Sequence, residues 1–202
     1  MFTLITSLGS PYGRKVRLVV ACLGIDDKMQ LQHADTLDEN DPLRRINPLG
    51  KIPVLVPEGG TPIYDSRVII DYLETTYGTG EIIPRDPAQR FRALSLAALA
   101  EGINDALLAI TYESRFHDPE DIGPRWLAHQ RGKLQLSLPV VIENLAEFKG
   151  TGIAATTLAS ALGYADWRKQ IDWRPDYPEL VDWLANYATL VPAWELTHPP
   201  ES

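Results

Sequence analysis

Every strand-like run in this chain lies ahead of Ser66, and the turn bracketed by Pro84 and Pro87 is followed by helical patterns only. That asymmetry restricts the fold to a small α/β unit followed by an all-helical one. Alternating strands and helices build a sheet with its crossovers, while an unbroken series of helices must bury its apolar faces on one another. "MFTLIT" reads as a first strand. Pro11 to Leu23 follows with Val16, Val19, Val20 and Leu23 on one helical face, and Gly24 stops it. "MQLQHA" alternates weakly and reads as a second strand. "PVLVPE" and "TPIYD", separated by "GG", predict a hairpin, and Ser66 to Tyr77 carries Val68, Ile69, Tyr72 and Leu73 on one side of a further helix. The order strand, helix, strand, hairpin, helix predicts a parallel strand pair joined by a crossover helix.

Downstream, the spacing predicts helices over Ala88 to Phe116, Pro124 to Phe148, Thr157 to Ile171 and Pro178 to Tyr187, with "THPPES" extended. The expected division is a first domain over 1–79, a linker over 80–87 and a helical domain over 88–202.

Composition narrows the chemistry. A formal net charge of -8 argues against nucleic acid or an anionic membrane as partner, either of which favours a basic patch. No uninterrupted apolar stretch approaches the roughly 20 residues that span a bilayer. The N-terminus lacks the basic region and apolar core of a signal peptide, so the expected location is the cytoplasm. Cys22 stands alone among "VVACLG" and reads as core. His33, His117, His129 and His198 have no metal-ligand spacing, so no metal is expected. Phosphate-binding glycine loops and the G-x-S-x-G elbow of serine hydrolases are absent from the sequence.

Three segments carry chemistry. In "SPYGRKVR", Ser10 precedes Pro11 at a helix start, a good capping pair, because the Ser oxygen accepts a free backbone N–H and Pro needs no donor there. The same hydroxyl, beside unpaired N–H groups at the positive end of a helix, is also a place to hold an anion such as a thiolate. In "NPLGKIPVL", Pro53 opens a strand, which suits an edge or a strand start. In "YDSRVIIDYLE", Asp65 and Ser66 are placed as cap and first-turn residues.

Together, in this order, the three segments resemble the glutathione transferase superfamily, and the resemblance covers essentially the whole chain. It implies a thioredoxin-like α/β domain with a cis-proline loop at "NPLGKIPVL" and an acidic-Ser pair at "YDSR", then an all-α domain in which "DYPELVDWL" opens a late helix. It implies glutathione as substrate or cofactor, a small hydrophobic electrophile or a hydroperoxide as second substrate, and a homodimer. It also assigns roles. Asp65 accepts from the γ-glutamyl ammonium, and Ser66 receives the γ-glutamyl carboxylate. Ile52, before a cis Pro53, pairs with the cysteinyl backbone like an added strand. Lys51 approaches the glycyl carboxylate, and Arg67 matches an Arg of some classes.

Thiol activation needs about 2.7 kcal/mol to bring a pKa of about 8.5 down to about 6.5. A hydroxyl donor to a charged partner supplies about 1.5 to 3 kcal/mol, and a helix N-terminus roughly 0.3 to 1. Ser10 is therefore the expected donor, able to cap and serve the thiolate, with Thr6, Ser7 and Tyr12 as alternatives. Gly9 occupies the place that holds the catalytic Ser in some Ser-dependent classes. Ser10 matches the nucleophilic Cys of glutaredoxins and omega-like transferases. "SPYG" lacks the cysteines of a dithiol oxidoreductase.

The family's Ser/Thr-x-x-Asp capping box is replaced by "TLAS", which leaves any cap to Thr156 or Thr157. Leu94, Ala98, Glu101, Asp105, Leu108 and Tyr112 form a helical stripe. Its acids are read either as a solvated face or as facing the domain cleft or dimer interface, where Tyr12, Glu101, Asp105 and Tyr112 would border the second substrate. The remaining alternative is a non-catalytic binding or regulatory protein of the same fold.

Overall fold

In the computed structural model, which describes residues 1–200, the N-terminal apolar run forms β1 (Phe2–Thr6). It is followed by α1 (Pro11–Cys22), β2 (Met29–His33), α2 (Leu43–Ile46), β3 (Val54–Pro57) and α3 (Ser66–Tyr77). The helical part contains α4 (Pro87–Phe116), α5 (Pro124–Glu143), α6 (Ile153–Arg168), α7 (Pro178–Leu190) and α8 (Ala193–Leu196). The chain forms two compact units, the first from Met1–Arg85 with the segment from Val191 onward, the second from Asp86–Leu190.

The sheet of the first unit has the order β2-β1-β3. β1 runs parallel to β2, with Thr6 opposite His33, and antiparallel to β3, with Ile5 opposite Val54. The α1 crossover is therefore the expected one. Apolar residues of β1 and β3 (Leu4, Ile5, Val54, Leu55) meet those of α1 and α3 (Val16, Val19, Ile69, Leu73) in a closed core. The expected hairpin reduces to one bridge, in which Leu55 and Ile63 exchange backbone hydrogen bonds of 2.9 and 2.8 Å. Pro62, next to Ile63, has no N–H to extend the ladder. Helix α3 ends on a carboxylate clasp. Glu74, itself buried, accepts the N–H groups of Gly80 and of Ile82, the latter at 3.1 Å.

The last residues return to this unit. Arg14 of α1 is 2% exposed, and its Nη2 donates to the carbonyl of Trp194 at 2.8 Å. Its Nε donates to Thr197 Oγ1 at 3.3 Å, and its guanidinium lies 3.7 Å from the Trp194 ring centroid. Arg17, three positions on, donates to the carbonyls of Leu196 and Thr197. The segment from Val191, assigned on sequence to the helical domain, thus packs on the first unit.

In the second unit, α4 packs against α5 and α6. α4 is long and apolar enough to cross a membrane by length and composition, yet half of that stretch is buried inside the protein. α6 is almost wholly buried, which small residues such as Ala154, Ala155, Ala159 and Ala161 permit. It begins at Ile153, four residues before the expected Thr157, and Gly152 caps it with no side-chain bond. The reading of Thr156 or Thr157 as cap is corrected. Thr157 Oγ1 instead donates back to the carbonyl of Ile153 at 2.7 Å, inside the helix. α5 stops at Glu143, because the Asn144 side chain donates to the Val140 carbonyl at 2.7 Å and a short 3-10 turn, Leu145–Glu147, takes over.

Candidate glutathione site

The strand register brings the three motif segments of the first unit to one end of the sheet. β1 delivers the chain to Ser10 at its C-terminal end, and Ile5 pairs with Val54, so Ile52 and Pro53 lie just beyond that same end. The Leu55–Ile63 bridge is antiparallel, so the chain runs from Ile63 back toward Pro53 and reaches Asp65 alongside it. Segments separated by more than fifty residues thereby reach the same end of the sheet.

Ser10 is the N-cap of α1, in extended conformation, and its Oγ accepts the Gly13 N–H at 3.1 Å. As acceptor in that bond, the hydroxyl keeps its own proton available to donate. α1 approaches β1 closely here, because a Cβ on Gly13 would stand 2.0 Å from Thr6 Oγ1. Thr6 is accordingly buried beneath the helix, with its hydroxyl donating to the Ser7 carbonyl at 3.4 Å. The reading of Thr6 as an alternative donor is corrected on that ground, while Ser7 and Tyr12 are half-buried.

The Ile52–Pro53 bond is cis. The Ile52 side chain packs against Ile5, Ala34, Leu43 and Val54, while its backbone N–H and C=O enter no hydrogen bond among the described residues. The loop before it is held by Asn47, which sequence reading quoted without giving it a role. Buried Asn47 donates through Nδ2 to the Lys51 carbonyl at 2.8 Å and accepts the Leu49 N–H at 3.1 Å. Its position ahead of Pro48 was the available signal, since Asn bonds its own backbone two residues on. Gly50 sits at φ +60°, the left-handed turn that favours glycine. Lys51 is exposed and Pro53 buried.

Asp65 is the N-cap of α3 and accepts the Arg67 N–H at 2.9 Å. It is also gripped by the Arg67 side chain, with Nη2 to Oδ2 at 2.7 Å. Burial works against the charge on Asp65, but the hydrogen bonds and charge of Arg67, with the Lys15 ammonium, outweigh it and hold the carboxyl below the ordinary aspartate range. Ser66, buried in the first turn, sits with that turn's N–H groups at the positive end of α3. Arg14 and Lys15, the latter 1% exposed, were not singled out on sequence. Two consecutive cations in a helix read as surface, and only tertiary partners bury them.

In the second unit, Glu101 is 5% exposed, which corrects the solvated-face reading for that residue, whereas Asp105 is exposed. Tyr112 is 39% exposed, meets Phe116 edge-on at 5.3 Å and lies under Arg115 at 5.4 Å. Cys22 is half-buried, and burial with the nearby Asp26 pushes its thiol up to about 11. Among the described residues no group of three or more His, Cys, Asp or Glu could hold a metal ion.

A β-α-β sheet unit with a cis-proline loop and a capped first helix, joined to a helical unit, defines the thioredoxin-like class with an all-α partner. A family model of the glutathione S-transferase N-terminal domain matches residues 4–81. The uncharacterized GST-like protein YibF of Escherichia coli K12 is 30% identical over 98% of this chain and 99% of its own length. A crystal structure of a glutathione transferase family member from Pseudomonas fluorescens Pf-5, with bound glutathione, is 40% identical at a TM-score of 0.92, covering 99% of this chain and 100% of that one. A second Pf-5 structure, 39% identical at a TM-score of 0.89 over the same shares of each chain, holds S-(propanoic acid)-glutathione. The chain belongs to the glutathione S-transferase superfamily.

Proposed function

We propose that this protein is a glutathione transferase that binds glutathione in the first unit and activates its thiol. The observation that carries the reading is the Ser10 hydroxyl, which accepts the Gly13 N–H and so retains a proton to donate at the positive end of α1. Donation to the thiolate, with the helix terminus, supplies about the 2.7 kcal/mol that ionisation near neutral pH requires. The thiolate sulfur then bonds to an electrophilic carbon, displacing a leaving group or passing the electron pair into a conjugated acceptor that takes up a proton. With a hydroperoxide, two glutathione molecules give the disulfide, an alcohol and water.

The tripeptide is held by groups of matching chemistry. The free N–H and C=O of Ile52 pair with the cysteinyl backbone. Ser66 and the α3 N-terminus receive the γ-glutamyl carboxylate, and Asp65, kept ionised, receives the ammonium. Arg67, bound to Asp65, reaches toward the same end, and exposed Lys51 serves the glycyl carboxylate. For the electrophile we propose Tyr12, two residues after Ser10 in the first unit. The glutathione held by the Pf-5 relative, and the S-conjugate in its second structure, support a transfer reaction of this kind. A cytoplasmic setting, where glutathione is plentiful, and a detoxifying role fit the same reading. A homodimer is part of the proposal, supported by exposed Phe91 and Leu136 on α4 and α5.

Calorimetric titration of glutathione into wild type and Ser10→Ala, with an ultraviolet thiolate reading across pH, tests it. Binding with thiol ionisation near neutral pH, lost in Ser10→Ala, is expected. Binding with no ionisation shift and no turnover of any electrophile identifies a non-catalytic glutathione-binding protein. An absence of binding overturns the proposal.

A further inference from the structure

We propose that Arg14 is a positioning residue for thiol activation, holding the Ser10-bearing turn of α1 through its clasp on Trp194 and Thr197. The inference rests on the role proposed for Ser10. Ser10 and Arg14 belong to one turn, since the backbone N–H of Arg14 donates to the carbonyl of Ser10 at 2.9 Å. The first turn of a helix is its least restrained part, because its N–H groups have no partners within the helix. Here the side chain of that turn is anchored from outside. The guanidinium stacks on the Trp194 indole, donates to its carbonyl and reaches Thr197 Oγ1, which itself donates to the Trp194 carbonyl at 3.2 Å.

The choice of residue fits that work. A buried charge is tolerated only when its hydrogen bonds and partners are in place, so Arg14 is locked into one geometry. A planar fork that also stacks is what arginine offers and lysine does not. Arg17, one turn on, faces the same way and adds bonds to the carbonyls of Leu196 and Thr197. α1 is thus fixed at its Ser10-bearing turn, and again at Arg17, by a segment 180 residues later in the chain. The proposed glutathione contacts at Lys51–Pro53 and Asp65–Arg67 lie on other segments. Losing the clasp therefore disturbs the hydroxyl donor more than the binding of the tripeptide.

Besides Arg14, the charged residues of α1 and of the helices packed against it are Lys15 and Arg17 on α1, Arg67, Asp71 and Glu74 on α3 with its cap Asp65, and Glu195 on α8. Arg14→Ala removes the whole clasp and Trp194→Ala its stacking face, leaving the backbone carbonyl and Thr197 in place, while Trp194→Phe keeps an aromatic face. Each variant is titrated with glutathione, reading thiolate absorbance against pH, and with S-methylglutathione, which has no thiol to ionise. The expected result is a bound-thiol ionisation midpoint about one pH unit higher in both alanine variants. Affinity for S-methylglutathione stays within about twofold of wild type, and Trp194→Phe restores the midpoint. Folded alanine variants with the wild-type midpoint and only a lower melting temperature overturn the inference. If Arg14→Ala does not fold, Trp194→Ala decides by the same readings. Wild type that binds neither ligand overturns the proposed function itself, and this inference with it.

Discussion

The N–H of Gly13 donates to the Oγ of Ser10 across 3.1 Å, so one hydroxyl closes the first turn of α1 and still has a proton to give. Ser10→Ala removes both functions. Loss of the cap costs about 1 kcal/mol, read as a lower denaturant midpoint. Loss of the donor moves bound-thiol ionisation upward. A variant that loses stability while the bound thiol ionises as in wild type would assign Ser10 to capping alone.

Gly13→Ala forces a methyl group to within 2.0 Å of Thr6 Oγ1. α1 must lift from β1, a cost of about 1 to 3 kcal/mol of the overpacking kind. Adding Thr6→Ala recovers part of it, because the hydroxyl is the nearest atom met. Urea unfolding of the single and double variants measures this, and strict additivity of the two effects would contradict it.

The buried Glu74 carboxylate ties Gly80 and Ile82 to the end of α3. Glu74→Ala leaves those N–H groups without their acceptor and destabilises by about 2 kcal/mol. Amide exchange at Gly80 and Ile82 rises with it. Unchanged protection at both amides would rule the clasp out as their restraint.

For Asp65 the folded pKa lies below its unfolded value, with Arg67 and Lys15 outweighing burial. Its contribution to stability is therefore fully present above the unfolded value of about 3.9. It fades as pH falls through the lower folded value. The stability difference between wild type and Asp65→Asn is expected to stay level from about pH 5 upward and to shrink below about pH 4. A difference that persists undiminished in acid would show that the ionised carboxylate is not its source.

With its thiol pushed up to about 11 by burial and Asp26, Cys22 is protonated at neutral pH. Alkylation by iodoacetamide at neutral pH is expected to be slow in the folded protein and to accelerate on unfolding, as followed by intact mass. Rapid labelling of the native protein would contradict that environment.

The parts legible from sequence are those written in local chemistry. The Ser10-Pro11 cap, the Pro53 strand start, the Asp65 cap of α3 and the apolar face of α1 each involve residues within a turn or two of one another. The two caps stand as read, Pro53 lies one residue ahead of β3, and Val16, Val19 and Val20 are buried while Leu23 falls just past the end of α1. α2 and α8 span single turns, too short for periodicity to show. The start of α6 was misplaced because its all-round burial erases the polar face from which a boundary is normally inferred. The supporting groups of the site were the least legible. Asn47 was hidden in a turn motif, and Glu74 bonds amides beyond its own helix. Arg14 has partners that no window of sequence contains.

The return of residues 194–197 to α1 also sets an order of events during synthesis. Residues 1–85 leave the ribosome before the segment from Val191, and such units commonly fold as they emerge. Here the nascent sheet can assemble, but Arg14 lacks the Trp194 indole and carbonyl and the Thr197 hydroxyl until translation has passed Thr197. The helix that carries Ser10 is thus made well before the segment that holds its first turn.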